Sequence, residues 1–440
     1  MNAPSSRHAL RGQILSFRDD PFLVGPDDAI LFESDGAIVV EDGLIAAAGP
    51  ADDVLRNYPD VTVEHYRQDL IMAGFVDSHV HYPQCEVIAS YGEQLLEWLN
   101  RYTFPAEEKF ASPEYAAAIA GHFLDQCLRN GTTTASVYCT VHPQSADALF
   151  AAAEERGIRL AAGKIMMDRN APEALCDTPQ RGYDESKALI ERWHGRARLT
   201  YAITPRFALT STPEQLEAAG ALWREFPDTL MQTHLSENHA EIEWVRSLFP
   251  DAPDYFGVYE RFGLVGPGSN FGHAIHLTQR ERDAMRATGS GISHCPTSNA
   301  FLGSGLFDMA DLREGSSEIP VGLATDIGGG SSISMFQTMK TSYEICRLGG
   351  FSLHPAKAYY LATLGSARLM RLDDRIGNIA PGREADLIII DLKSTPAIEH
   401  RMRYARDLWE TLFIQMIMAD DRAIRATWVN GSKLYERDRS

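Results

Sequence analysis

Residues 71–84 read IMAGFVDSHVHYPQ. An apolar run ends in His79-Val-His81, and alternate residues of a β-strand point to the same side. Two imidazoles facing one way at a strand end can share a divalent cation. The chain has 14 histidines in 440 residues, and random placement would give roughly 0.4 such pairs. The pair alone therefore decides nothing, and the rest of a ligand set must come from elsewhere.

Strand-like apolar runs lie at 72–80, 132–139, 159–167, 198–205, 229–235, 269–275, 289–296 and 319–326. They alternate with helix-like stretches such as PEYAAAIAGHFLDQCLRNG. Strand–helix repetition of this kind predicts a (β/α)8 TIM-like barrel, in which working residues sit at the C-terminal ends of strands. His79 and His81 end the first run, and Arg206 and Phe207 follow the fourth. His234 ends the fifth, with Glu237 three residues on. His273 ends the sixth, His294 and Cys295 the seventh, and Asp326 the eighth, ahead of three glycines.

Three neutral imidazoles and one carboxylate suit Zn²⁺ or Fe²⁺ and leave an open position for water. Such a cation brings the pKa of water to about 7. A carboxylate is then needed to move the proton, and Glu237 is placed for it. Each residue also has a plainer use. His234 could be a hydrogen-bonded core histidine, Asp326 a turn residue or N-cap, and Glu237 a complement to a helix N-terminus. Their joint arrival at strand ends favours the shared site. A different zinc design pairs H-x-E with P-C-x-x-C. His239-Ala-Glu241 supplies the first half, but HCPTS reverses the Cys and Pro and no C-x-x-C occurs. This H-x-E is expected on an exposed helix face.

The net charge of −19 argues against binding nucleic acid or an anionic membrane surface. Six scattered cysteines read as reduced thiols. No run approaches the length needed to span a bilayer, and the N-terminus lacks a basic start followed by an apolar stretch. A cytoplasmic enzyme is expected, with a core large enough to fold without its metal.

The ends of the chain differ from the middle. Residues 11–71 are short alternating runs with turn dipeptides at Asp35-Gly36 and Asp42-Gly43. Similar runs return at 385–392 and 424–436, with Asn430-Gly431 between strands. A small composite β-sandwich built from both termini is predicted. The expected domains are its first part at 1–71, the catalytic barrel at 72–375, and its second part at 376–440 with a C-terminal helical segment.

GFVDSHVH, THLSEN, GHAIHL, SHCPTSN and ATDIGGG resemble the strand-end motifs of the amidohydrolase superfamily. GNIAPGREADLIIIDL resembles its return to the small β-domain, so the likeness covers nearly the whole chain. More narrowly, HYPQCEVIASYGEQLLEWLNRYTFPAEEKF is similar to the guanine deaminases of that superfamily. The resemblance implies hydrolysis of guanine to xanthine and ammonia by a homodimer. It implies one divalent metal, zinc or iron, on His79, His81, His234 and Asp326. It gives Glu237 the acid/base role, His273 an assisting role and Asp326 that of a second proton acceptor. Gln84, Arg206 and Phe207 match positions that hold the purine.

Binuclear relatives add a bridging modified lysine. The fourth run ends in Thr204-Pro205-Arg206, and Lys164 in the third is the nearest candidate. Arg206 has the geometry to donate two parallel hydrogen bonds to a purine O6/N7 edge, or else to sit in a structural ion pair. Phe207 offers an apolar face, and Gln84 both a donor and an acceptor. Aminohydrolases of adenine-like, cytosine-like or triazine rings would share the metal site, and a non-catalytic scaffold on the same barrel would be expected to have lost ligands.

Overall fold

The computed structural model describes residues 7–91, 94–313 and 318–439. Residues 1–6 and 440, at the outer limits of the terminal domains, lie outside the described residues, as do 92 and 93 of the 85–110 loop.

The middle of the chain forms a nearly closed barrel of eight parallel strands, each short and buried. They are β5 (Phe75–His81), β6 (Thr132–Tyr138), β7 (Arg159–Gly163) with its continuation β8 (Ile165–Met166), β9 (Leu199–Pro205), β10 (Leu230–Leu235), β11 (Ser269–His273), β12 (Gly291–His294) and β13 (Val321–Leu323). Apolar residues on both faces of these strands mark a parallel sheet covered by helices. Between β13 and β5 the wall is completed by other bonds. The Asp326 amide donates to the His79 carbonyl at 3.0 Å, the Ser78 hydroxyl to the Leu323 carbonyl at 3.1 Å, and the Thr325 amide to Asp77 Oδ1 at 3.1 Å. Inside, Ser78, Asn270 and Ser293 hydrogen-bond one another below the histidines.

The termini together make one mixed seven-stranded sheet, named here in chain order. It comprises β1 (Arg7–Phe17), β2 (Ile30–Glu41), β3 (Leu44–Pro50), β4 (Thr62–Ala73), β14 (Leu387–Asp391), β15 (Ile424–Val429) and β16 (Ser432–Glu436), in the order β16-β15-β14-β4-β1-β2-β3. Ile45 exchanges backbone bonds with Gly382 and Arg383, so the sheet curls round its own apolar core of Leu10, Ile14, Ile38, Ile71 and Leu387. Asp42-Gly43 and Asn430-Gly431 are turns with positive φ at both residues, which matches the twist of a hairpin. Asp35-Gly36 is not a turn. It lies inside β2, where a Cβ on Gly36 would come within 2.4 Å of Ile14. The glycine there serves a close strand approach beside a bulge, a use that the dipeptide signal does not separate from a turn.

The C-terminal helix Leu408–Met418 packs on barrel helices. Tyr359 donates to the Leu412 carbonyl and Gln337 to that of Ala419. Among the described residues no helix is long and apolar enough to cross a membrane.

Candidate active site

His79 and His81 sit two residues apart on β5 and both reach the same space at the barrel mouth, as strand alternation requires. His234 Nε2 lies 3.2 Å from His81 Nε2. Asp326 Oδ1 lies 3.4 Å from His79 Nε2 and 3.5 Å from His81 Nε2. A tetrahedral cation with bonds of about 2.0–2.1 Å has ligand–ligand edges of about 3.4 Å. Both nitrogens of His79 and Nδ1 of His81 are buried without a hydrogen-bond partner. The 3.4 Å approach of His79 to Asp326 is close but not aligned as a hydrogen bond. Buried imidazoles left this way need a ligand that the protein itself does not supply. Burial also keeps His79, His81 and His234 in the neutral form a cation requires. The donor set fits a divalent metal.

Neighbouring groups fix these rings. His234 Nδ1 donates to the Arg206 carbonyl at 2.7 Å, leaving Nε2 to face the cluster. A Cβ on Gly272 would come within 2.6 Å of the His79 ring. Tyr138 packs against His79 and His81, with centroids 4.6 and 4.5 Å apart. Asp77 takes the Thr325 hydroxyl and amide and the His79 amide. Ser236, His273, Ala274 and Asp326 all have φ between 48° and 67°. Left-handed backbone at non-glycine residues is strained, and here it gathers at the strand ends around the cluster.

Glu237 is buried beside this set. Its Oε2 is 3.4 Å from His273 Nε2, and Ser304 donates to its Oε1 at 3.3 Å. Burial pushes the carboxyl up to about 7. His273 Nε2 also lies 3.6 Å from Asp326 Oδ2. Burial opposes a charge on His273, but the carboxylates of Glu237 and Asp326 outweigh it and raise the imidazole. Asn299 Oδ1 takes the Nδ1 proton at 2.8 Å, which turns Nε2 toward the two carboxylates.

A cavity opens onto these groups and is also lined by Gln84, Arg206 and Phe207, with Leu95, Trp98 and Leu99 from the segment over the mouth. Eight of the nine expected site residues therefore line one space, and the ninth, His79, is fully buried against His81 and Asp326. Lys164 does not line it. Its ammonium is 2.5 Å from Asp177 in a buried pair away from the histidines. His294 turns aside too, bonding Ser342 and stacking on Phe307.

Two acidic residues escaped the sequence reading. Glu107 is buried and bonds two residues of the cavity wall, Arg206 and Gln84. Glu241 was expected on an exposed helix face but is fully buried. It accepts the amides of Glu237 and Asn238 at 3.0 and 3.1 Å and the Tyr255 hydroxyl at 2.7 Å. Asn238-x-x-Glu241 is a capping box, a signal present in the sequence.

The amidohydrolase family model matches residues 70–434. The chain belongs to the amidohydrolase family. A shorter match, at residues 36–60, is to an imidazolonepropionase-like composite domain of bacteria. Within the family the chain stands among the guanine deaminases. It is 46% identical over 439 residues to guanine deaminase of Escherichia coli (strain K12), covering 99% of this chain and 100% of the relative. A solved E. coli guanine deaminase superimposes with a TM-score of 0.95 over 98% of this chain and 100% of the other, at 46% identity. The C. acetobutylicum enzyme, with guanine bound in its active site, gives 0.87 at 28% identity, over 98% of this chain and 100% of that one. The amidohydrolase barrel, the terminal sheet and a candidate metal site at the barrel mouth thus occur together in this chain.

Proposed function

We infer that the chain hydrolyses guanine at C2, giving xanthine and ammonia. One observation carries this reading: His81, His234, Asp326, Glu237, Arg206 and Gln84 line one cavity, with His79 packed against His81 and Asp326 to complete the donor set. One divalent cation, with zinc preferred and iron(II) suited as well, would be held by His79, His81, His234 and Asp326. When bound, it acidifies the attacking water.

Glu237 takes a proton from that water and delivers it to ring N3, so charge does not build up on the purine. A carboxyl near pH 7 gives and takes protons with little cost in either direction. Asp326 takes the second proton, and His273, bonded to Asn299 and facing both carboxylates, steadies it. That proton passes from Asp326 to the C2 amine, the C2–N bond breaks as the C2 oxygen becomes a carbonyl, and ammonia leaves. Arg206 supplies donors to the O6 side of the ring and Phe207 an apolar face. Gln84 meets the adjoining ring edge.

The reading extends to a cytoplasmic homodimer, with the barrel at 72–375 and the small β-domain at 1–71 and 376–440. Incubating purified protein with guanine and following xanthine by ultraviolet absorbance tests the function. No conversion by protein carrying one equivalent of zinc or iron would overturn it.

A further inference from the structure

Resting on the reading above, we propose that Glu107 is a positioning residue that sets which edge of a purine the cavity accepts. Glu107 lies on the short helix Phe104–Glu108 and is 1% exposed. Its two oxygens take Arg206 Nη1 at 2.9 and 2.7 Å, and its Oε1 also takes Gln84 Nε2 at 3.2 Å. The same helix places the Phe104 ring 5.6 Å from the guanidinium carbon.

A carboxylate paired with a guanidinium can only accept. The Gln84 amide must therefore turn its NH₂ group toward Glu107, which decides an orientation that an amide alone leaves open. Gln84 Oε1 is then the atom left for the cavity. It borders Gly328, where a Cβ would come within 2.1 Å of it. Among the described residues no hydrogen bond is formed by Arg206 Nε or Nη2 or by Gln84 Oε1, and both side chains line the cavity. The wall thus offers donors from Arg206 beside an acceptor from Gln84.

Guanine meets such a pair with O6, an acceptor, and N1–H, a donor. Adenine and 2,6-diaminopurine carry the reverse, an amine at C6 and a bare N1. A mismatched edge leaves buried polar groups unpaired on both sides, which penalises it strongly. Glu107 touches no part of the ring in this scheme. It acts by holding one guanidinium and one amide in fixed polarity.

Competitive inhibition of guanine hydrolysis by hypoxanthine and adenine reads that polarity without the C2 amine. Metal-loaded wild type should bind hypoxanthine at least about tenfold more tightly than adenine, a modest share of what a hydrogen-bonding site can discriminate. Glu107→Gln, whose amide can also donate, should lose most of that preference. It should lower guanine kcat/KM by about 10² through KM more than kcat, in line with the loss of charge-assisted bonds, with metal content intact. Glu107→Asp keeps the charge and should keep the direction of the preference. Equal binding of the two inhibitors by wild type would overturn the proposal even if neither variant folds. So would a Glu107→Gln variant that retains the wild-type ratio. Failure of wild type to hydrolyse guanine would instead overturn the function on which the proposal rests.

Discussion

The barrel carries a cluster of buried titratable groups at each end, and the two are built differently. At the N-terminal face, Arg159 and Arg198 meet Glu384 and Asp386 from the segment leading into β14. Each guanidinium there faces a carboxylate. At the C-terminal mouth, imidazole nitrogens stand without partners, two carboxylates converge on the single imidazole of His273, and the backbone is strained. A buried charged cluster that satisfies itself holds two pieces of chain together. One that does not satisfy itself has been left open for something else, and perturbed groups in a cleft mark where chemistry is done.

Removing the metal should have the largest effect on turnover. Chelation should abolish guanine hydrolysis, and readdition of zinc or iron should restore it at close to one equivalent per chain. Far-ultraviolet circular dichroism should barely change, because the apolar core is extensive without the histidines. Two equivalents needed for full activity, or gross unfolding on chelation, would remove the basis for separating an open end from a self-supporting one.

Glu237→Gln should come next. It should keep metal and bind guanine, yet lose about 10³ or more in kcat, near the usual worth of a positioned acid/base. Retention of more than about a tenth of kcat would mean the proton moves by another route. Loss of the metal would mean that Glu237 is a ligand. Arg206→Ala should cost less, about 10² in guanine kcat/KM, as expected for a charge-assisted pair of hydrogen bonds. Wild type should process 2,6-diaminopurine poorly, and Arg206→Ala should discriminate against it less. If wild type hydrolyses both C2 amines equally well, Arg206 does not read O6.

The mouth was the more legible of the two clusters. His79 and His81 announce themselves by strand alternation, and His234, His273 and Asp326 each end an apolar run. Glu107 does not, because its partner Arg206 is 99 residues away and Phe-Pro-Ala-Glu-Glu carries no period that marks a buried acid. Glu241 is hidden because the His-x-Glu spacing resembles an exposed helix face, whereas its burial follows from the capping box with Asn238. The composite terminal domain was visible as alternating runs, but the parallel pairing of β1 with β4 was not. Nothing local in either strand encodes that partner. The N-terminal face was silent for the same reason, since Arg198 and Glu384 are 186 residues apart.

That silence makes Arg198 the sharpest control. Arg198→Met should leave guanine kcat/KM within about twofold, because the N-terminal face of such a barrel contributes stability rather than catalysis. It should lower the unfolding free energy by about 3–5 kcal/mol, the usual cost of removing one partner from a buried pair. The pH dependence gives a second check. Burial alone would raise the Glu384 carboxyl, but Arg159 and Arg198 overrule it and hold it below its ordinary 4.5. The folded chain then binds fewer protons there than the unfolded chain does. The stabilisation is therefore present above about pH 4.5 and is lost as the pH falls further. The gap in Tm between wild type and Arg198→Met should be widest near neutrality and narrow in acid. A gap that widens in acid, or a tenfold fall in kcat/KM at unchanged metal content, would tie the N-terminal cluster to the chemistry and end the division of labour between the two faces.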